Sequence, residues 1–205
     1  MGAPYRLVTE RLELRCWDPS EAPRLKAAID ANLDHLREFM PWAHDEPSPV
    51  AEMADRLRAF RAGFDRDEEY LYAIWQDGEV AGGAGLHRRV GPGALEIGYW
   101  IRSEQTRRGL ATEMASALTR AAFEACGAER VEIHVDPRNV ASLGIPRRLG
   151  FTEEATLRRR LPPCPPDAPR RGDVTIFSLL EEEFRASPLA AFPVAAYDAL
   201  GERLL

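Results

Sequence analysis

Polar and apolar residues alternate along Arg11-Leu12-Glu13-Leu14-Arg15, the period of a strand with one buried face. Asp18-Pro19-Ser20-Glu21 then offers a helix cap, a proline for the first turn and an early acid, ahead of an apolar stripe of Leu25, Ala28 and Ile29. Met40-Pro41-Trp42 breaks the chain. Ser48-Pro49 opens a second helix, whose spacing predicts a buried face of Val50, Ala54, Leu57, Phe60 or Arg61, and Phe64. Tyr70 to Trp75 reads as a strand, Asp77-Gly78 as a hairpin turn and Val80 to Leu86 as the returning strand. After the Val90-Gly91-Pro92-Gly93 turn, Leu95, Ile97, Tyr99 and Ile101 share one face of a strand and Glu96, Gly98 and Trp100 the other.

A long helix is predicted from about Arg107 to Cys126, with Leu110, Met114, Ala117, Leu118, Ala121 and Ala125 as its core stripe and Gly127 as its stop. Arg130 to Asp136 is a strand, Asn139 caps a brief helix ending at Leu149-Gly150, Phe151 starts another strand, and Asp173 to Leu180 is expected to close the sheet. Strand-helix-strand in the middle demands a parallel pair, whereas the flanking hairpins are antiparallel. The fold class is therefore α/β with a mixed sheet, without internal repeat or domain linker. Pro162, Pro163, Pro165, Pro166 and Pro169 crowd one connection into a stiff, exposed loop, and the tail from Phe184 to Leu205 is partly apolar but interrupted by Pro188 and Pro193.

A chain of 205 residues, 45% hydrophobic and 29% charged, can bury the core of one globular domain. Its formal charge of -6 argues against bulk nucleic-acid binding, which needs a basic footprint, and suits a cationic substrate better. Cys16, Cys126 and Cys164 are far apart, form no C-x-x-C pair and stand at no metal-ligand spacing from His35, His44, His87 or His134. They read as incidental thiols in a reducing compartment, with no metal expected. Met1 to Arg15 has no apolar leader segment, and no stretch nears the ~20 apolar residues of a membrane span. The expectation is a cytoplasmic protein with neither nucleic acid nor membrane as partner.

Candidate chemistry enters at Thr106-Arg107-Arg108-Gly109-Leu110-Ala111-Thr112, between a strand and the long helix. The first N–H groups of a helix have no partner within it, and the helix dipole adds partial positive charge there. A glycine lets a bulky anion approach that backbone, and two arginines add charge at the rim. This spells a phosphate site, or else an ordinary helix start with solvated arginines. The sequence contains no G-x-x-x-x-G-K-[ST], no G-x-G-x-x-G after a strand and no G-x-S-x-G, which removes P-loop, dinucleotide and nucleophile-elbow enzymes.

Glu96-Ile97-Gly98-Tyr99-Trp100, Arg108-Gly109-Leu110-Ala111-Thr112-Glu113, Asp136-Pro137-Arg138-Asn139-Val140-Ala141-Ser142 and Leu149-Gly150-Phe151, in this order and spacing, resemble the GNAT acetyltransferase superfamily. The opening Thr9 to Arg15, Met40-Pro41-Trp42 and the Asp173-Val174 strand make it similar to the RimJ/RimL branch, which acetylates protein N-terminal amines. The resemblance implies an N-acetyltransferase domain over residues 9–183, followed by an extension at 184–205 that packs on the domain or on a partner subunit in a homodimer. It also implies a mostly antiparallel mixed sheet with one splayed parallel strand pair, flanked by helices, and acetyl-CoA as cosubstrate.

By that resemblance Thr106, Arg107, Arg108, Gly109, Leu110, Ala111 and Thr112 hold the coenzyme pyrophosphate through backbone amides. Thr106 departs from the usual long polar residue, at little cost to a backbone contact. The strand ending at Trp100 and Ile101 splays from its neighbour to admit the pantetheine arm, and an N–H near Ile101 holds the thioester oxygen. Asn139 reaches the cofactor arm or acts as a plain helix cap. Ser142, beside the cofactor, or a water serves the departing thiolate. Many relatives carry a tyrosine four residues later, where this chain has Pro146, which also removes an N–H and predicts an irregular helix.

The attacking amine must lose protons, and Glu96 is the candidate base, with a raised pKa if it is desolvated, or else a solvated or salt-bridged strand residue. His87 and His134 are rivals. Met40 to Pro47 and the proline-rich loop are expected to wall the acceptor site, with Asp45 and Glu46 placed to attract an ammonium group. The acceptor is left open between a protein α-amine and a small amine such as an antibiotic or polyamine, because fold and cofactor do not fix it. A non-catalytic acyl-CoA sensor on the same scaffold is the alternative of another class.

Overall fold

Period-two patterning places the strands, and turns punctuate them. In a computed structural model that describes residues 2–166 and 168–205, the strands are β1 (Arg6–Val8), β2 (Glu13–Cys16), β3 (Glu69–Gln76), β4 (Glu79–His87), β5 (Ala94–Ile101), β6 (Arg130–Val135), β7 (Thr152–Leu161), β8 (Gly172–Leu180) and β9 (Ala195–Tyr197). Met1, in the stretch read for a leader, and Asp167, in the proline-rich loop, lie outside the described residues. The strands form one sheet in the order β7-β8-β6-β5-β4-β3-β2-β1-β9. Asp77 and Gly78 both take left-handed φ (51° and 80°) in the β3–β4 hairpin, as a tight two-residue turn requires.

The helices are α1 (Ala22–Asp30), α2 (Leu33–Arg37), α3 (Val50–Asp65), α4 (Leu110–Glu124), α5 (Val140–Arg148) and α6 (Glu181–Ala186). No helix among the described residues is long and apolar enough to cross a membrane. The signal ahead of α1 is realised as a capping box, with Asp18 accepting from the Ser20 N–H and Glu21 accepting from the Asp18 N–H (3.1 Å). α4 buries Leu110, Met114, Ala117, Leu118 and Ala121 in the same core as Leu95, Ile97, Val131 and Ile133. A second core joins Leu25, Ile29, Met53 and Leu57 of α1 and α3 to Ala73, Trp75 and Val80.

Among the described residues only β5 and β6 are parallel, as the strand-helix-strand order demanded, and every other pairing is antiparallel. Three expectations are corrected. β8 does not close the sheet but inserts between β6 and β7, leaving β7 at the edge. α3 buries Met53, Leu57 and Phe64 while Val50 is exposed, so its apolar stripe is rotated from the predicted one. α4 begins at Leu110, because left-handed φ at Arg107 (60°) and Gly109 (80°) is incompatible with an earlier helical turn.

The tail returns to its own chain. β9 pairs with β1, and Phe184 of α6 stacks on Phe123 of α4 with ring centroids 4.6 Å apart. Cys164 in the proline-rich loop lies 3.3 Å from the Arg37 carbonyl oxygen, so that loop rests on the end of α2.

Candidate active site

Paired strands normally run together to their ends, but β5 and β6 part early. Their ladder covers only Ala94–Arg130, Leu95–Val131 and Glu96–Glu132. Beyond it β5 continues to Ile101 held by β4 alone. Arg102 N–H bonds the Ala81 carbonyl on the β4 side (2.9 Å). Strand alternation then turns the Trp100 amide toward β4 and those of Ile97, Tyr99 and Ile101 toward the opening. The expected splay is present, and Ile101 presents its N–H to it. Trp100 commits its main chain to β4, and its indole packs over Gly83 and beside Trp42, with ring centroids 6.3 Å apart.

One rim of the opening is the start of α4. The first helical bond runs from Glu113 N–H to Gly109 O (3.0 Å), and Gly109 supplies no side-chain cap. The N–H groups of Leu110, Ala111 and Thr112 are thus without helical acceptors. Thr106, Arg107, Arg108 and Gly109 are exposed. The loop is anchored from beneath. Buried Glu113 accepts from the Thr9 hydroxyl (2.6 Å), the Arg11 N–H (3.0 Å) and the Arg11 guanidinium (2.6 Å), and Arg11 donates to the Arg108 carbonyl (2.9 Å). Arg148 of α5 donates to the Thr112 hydroxyl (3.3 Å), adding a third cation to Arg107 and Arg108.

Asn139 caps α5, its Oδ1 accepting from Ser142 N–H at 3.0 Å. Pro146 does not interrupt that helix, which runs unbroken to Arg148. The Ser142 hydroxyl meets the Tyr99 hydroxyl at 2.6 Å, across the opening between α5 and β5. Burial pushes the Tyr99 phenol up to about 12, so it stays protonated at neutral pH. A tyrosine hydroxyl is therefore present beside Ser142 after all, carried by β5 rather than by α5.

The other rim is a stripe of charged side chains on the face away from α4. Glu96 is buried, and Arg89 grips both its oxygens (2.8 and 2.7 Å) with His134 Nδ1 at 3.7 Å. Burial pushes the Glu96 carboxyl up, but Arg89 and His134 outweigh it and hold the group below the usual range. The expectation of a raised pKa is thus reversed by an ion pair whose partner, Arg89, the sequence did not reveal. His134 Nε2 bonds Glu132 at 2.6 Å, and His87 Nδ1 bonds Glu69. Glu46 is also corrected: Arg56 (2.5 Å) and the Ser48 N–H (2.6 Å) occupy its buried carboxylate, leaving exposed Asp45 alone for an ammonium.

Residues 11–152 match the family model described as the acetyltransferase (GNAT) domain. The chain belongs to the GNAT acetyltransferase family. This N-acetyltransferase is 29% identical over 153 residues to YdaF of Bacillus subtilis (strain 168), provisionally named a ribosomal N-acetyltransferase, covering 74% of this chain and 83% of the relative. In fold it is similar to Mycobacterium smegmatis RimJ in complex with a CoA disulfide (TM-score 0.81, 24% identity, 92% of this chain and 94% of that one). It is likewise similar to RimL, a ribosomal L7/L12 α-N-protein acetyltransferase in complex with coenzyme A (TM-score 0.77, 23% identity, 86% and 97%).

In this acetyltransferase the contiguous loop 106–112 stands at the start of α4, and Asn139 and Ser142 stand at the start of α5, where Ser142 meets Tyr99 of β5. Sequence reasoning missed Tyr99, Arg89 and Arg11 as partners. Tyr99 carried a signal, as the one hydroxyl in the apolar series Leu95, Ile97, Tyr99 and Ile101. Among the described residues no group of three or more His, Cys, Asp or Glu is placed to hold a metal ion.

Proposed function

We propose that this enzyme transfers the acetyl group of acetyl-CoA to a primary amine, with a protein N-terminal α-amine as the favoured acceptor. The observation that carries the reading is the opening between β5 and β6, with unbonded helix-start amides at one rim and a hydroxyl pair inside. The residues present fit the coenzyme. The backbone at Gly109 is left-handed, and the nearest atom to a Cβ there would be Arg11 Nη2 at 3.4 Å, so an anion can approach the amides. Thr106 to Thr112 would hold the pyrophosphate, and the free edge of β5 the pantetheine arm.

The acceptor would enter from the face of β5 that bears Glu96. The thiolate that leaves would take its proton through the Ser142–Tyr99 pair. Names of the relatives favour a ribosomal-protein acceptor.

The test is a panel of ribosomal-protein N-terminal peptides, polyamines and aminoglycosides, with acetyl-CoA and thiol release as readout. Thiol release that depends on a peptide amine is expected, with Ser142→Ala and Tyr99→Phe each lowering kcat about tenfold. The double variant should lose little more, since one hydroxyl pair acts as a unit. Coenzyme binding without amine-dependent release would instead identify a sensor, and release only with small amines would move the acceptor class.

A further inference from the structure

His87 ends β4 and stands in register with Glu96, while Gly85 stands opposite Gly98. Its imidazole folds back over those two glycines. Nε2 lies 2.9 Å from where a Cβ on Gly85 would sit and 2.8 Å from one on Gly98. Neither glycine has left-handed backbone; at Gly98 the ring alone crowds the Cβ position, and at Gly85 Leu71 Cδ2 (2.7 Å) crowds it together with the ring. Gly98 lies just past Glu96, where the β5–β6 ladder ends, so Nε2 sits at the vertex of the opening.

The ring is aimed. Glu69 of β3 bonds Nδ1, and a carboxylate has no proton to give, so Nδ1 carries the hydrogen and, in the neutral ring, Nε2 holds the lone pair. That bond holds the Glu69 carboxyl below its usual range. Among the described residues Nε2 has no hydrogen-bond partner, and the side chain is only 14% exposed. Glu69, Glu96 and Arg89 face it from β3, β5 and beyond the end of β4, with Glu132 paired to Glu96 at the last rung of the β5–β6 ladder and His134 beyond it on β6.

The neighbours are committed elsewhere. Glu96 accepts both of its short bonds from Arg89, and His134 has one nitrogen on Glu132 and the other toward Glu96. We propose that His87 is the general base of acetyl transfer, with Glu69 as its positioning residue, an inference that rests on the acetyltransferase reading above. Nε2 takes one proton from the acceptor ammonium and releases it to solvent. The neutral nitrogen attacks the thioester carbon, the C–N bond forms and the C–S bond breaks. The second nitrogen proton passes through the Tyr99–Ser142 hydroxyls to the thiolate, so thiol, amide and one free proton balance the ammonium and thioester consumed.

The test follows kcat and KM for a peptide amine across pH in wild type, His87→Gln and Glu69→Gln, with coenzyme A affinity measured by calorimetry. H87Q should lose about 100-fold in kcat/KM at neutral pH while binding coenzyme A normally. Its rate should climb with pH, since an amine that must shed its own proton reacts only as its free base. E69Q should fall between the two in kcat with KM little changed, and should move the acidic limb toward lower pH. An E69Q enzyme with an unmoved limb would overturn the positioning role. An H87Q enzyme with wild-type kcat/KM and limb would overturn the base while leaving acetyl transfer standing, and a wild-type chain that acetylates no amine would overturn both.

Discussion

The two rims of the β5–β6 opening are built from different material. At the start of α4 the functional groups are main-chain amides of consecutive residues, Leu110 to Thr112, exposed by the left-handed turn at Gly109. On the opposite face they are the side chains of Glu69, His87, Glu96, Glu132 and His134, brought from four strands and joined by Arg89. A rim of backbone tolerates many side chains but depends on conformation. A rim of charged side chains tolerates conformational adjustment poorly, because each buried charge depends on a particular partner.

The comparison predicts its largest effect at Gly109. Gly109→Glu adds the cost of an L-residue at φ 80°, about 1–2 kcal/mol, and places a carboxylate where a diphosphate would lie. Coenzyme A affinity by calorimetry should fall at least about 100-fold, equivalent to about 2.7 kcal/mol. Arg107→Ala, which removes only an exposed cation from the same rim, should weaken binding by no more than about fivefold. Equal losses in the two variants would mean that side chains, not amides, make this rim.

On the side-chain rim, Arg89→Ala strands the Glu96 carboxylate, whose side chain is 7% exposed. Arg89 itself is 60% exposed, so the loss should be nearer 1–3 kcal/mol than the roughly 3–5 of a fully buried pair. In the intact protein the folded-state Glu96 carboxyl is held below its usual value. That stability is present above the unfolded value and lost as pH falls through the folded one. Without Arg89, burial dominates and the sign reverses: urea denaturation should show the largest deficit at neutral pH and a smaller one in mild acid. A deficit independent of pH would show that Arg89 contributes packing alone.

The same contrast explains what the sequence revealed. The α4 rim was legible because its residues are contiguous, and glycine at a helix start states a conformational need. Even there the helix was read as starting at Arg107, since nothing about an arginine announces φ of 60°. The Glu96 environment was illegible: Arg89 is seven residues away around a turn, and His134 arrives only through the parallel register. Tyr99 was placed on the correct strand face, but its meeting with Ser142 depends on how α5 crosses the opening. For α3, a stripe through Val50 and one through Met53 share Leu57 and Phe64, and only the sheet beneath selects between them.

The smallest expected effect lies where main chain and side chain meet, at Asn139. Its Oδ1 caps α5 by accepting from Ser142 N–H, so one bond both closes a helix start and sets the residue whose hydroxyl meets Tyr99. Asn139→Ala should cost about 1 kcal/mol in urea denaturation, the usual worth of a side-chain cap. Asn139→Asp keeps an oxygen in the capping position and should keep that stability, with an anion favoured at a helix N-terminus. The two roles separate at Nδ2, which has no partner among the described residues. If that amide donates to the coenzyme arm, N139D keeps wild-type stability but loses several-fold in coenzyme A affinity, about 1 kcal/mol for one hydrogen bond. If Asn139 is only a cap, N139D matches wild type in both measurements, and the coenzyme on this side is held by the free edge of β5 alone.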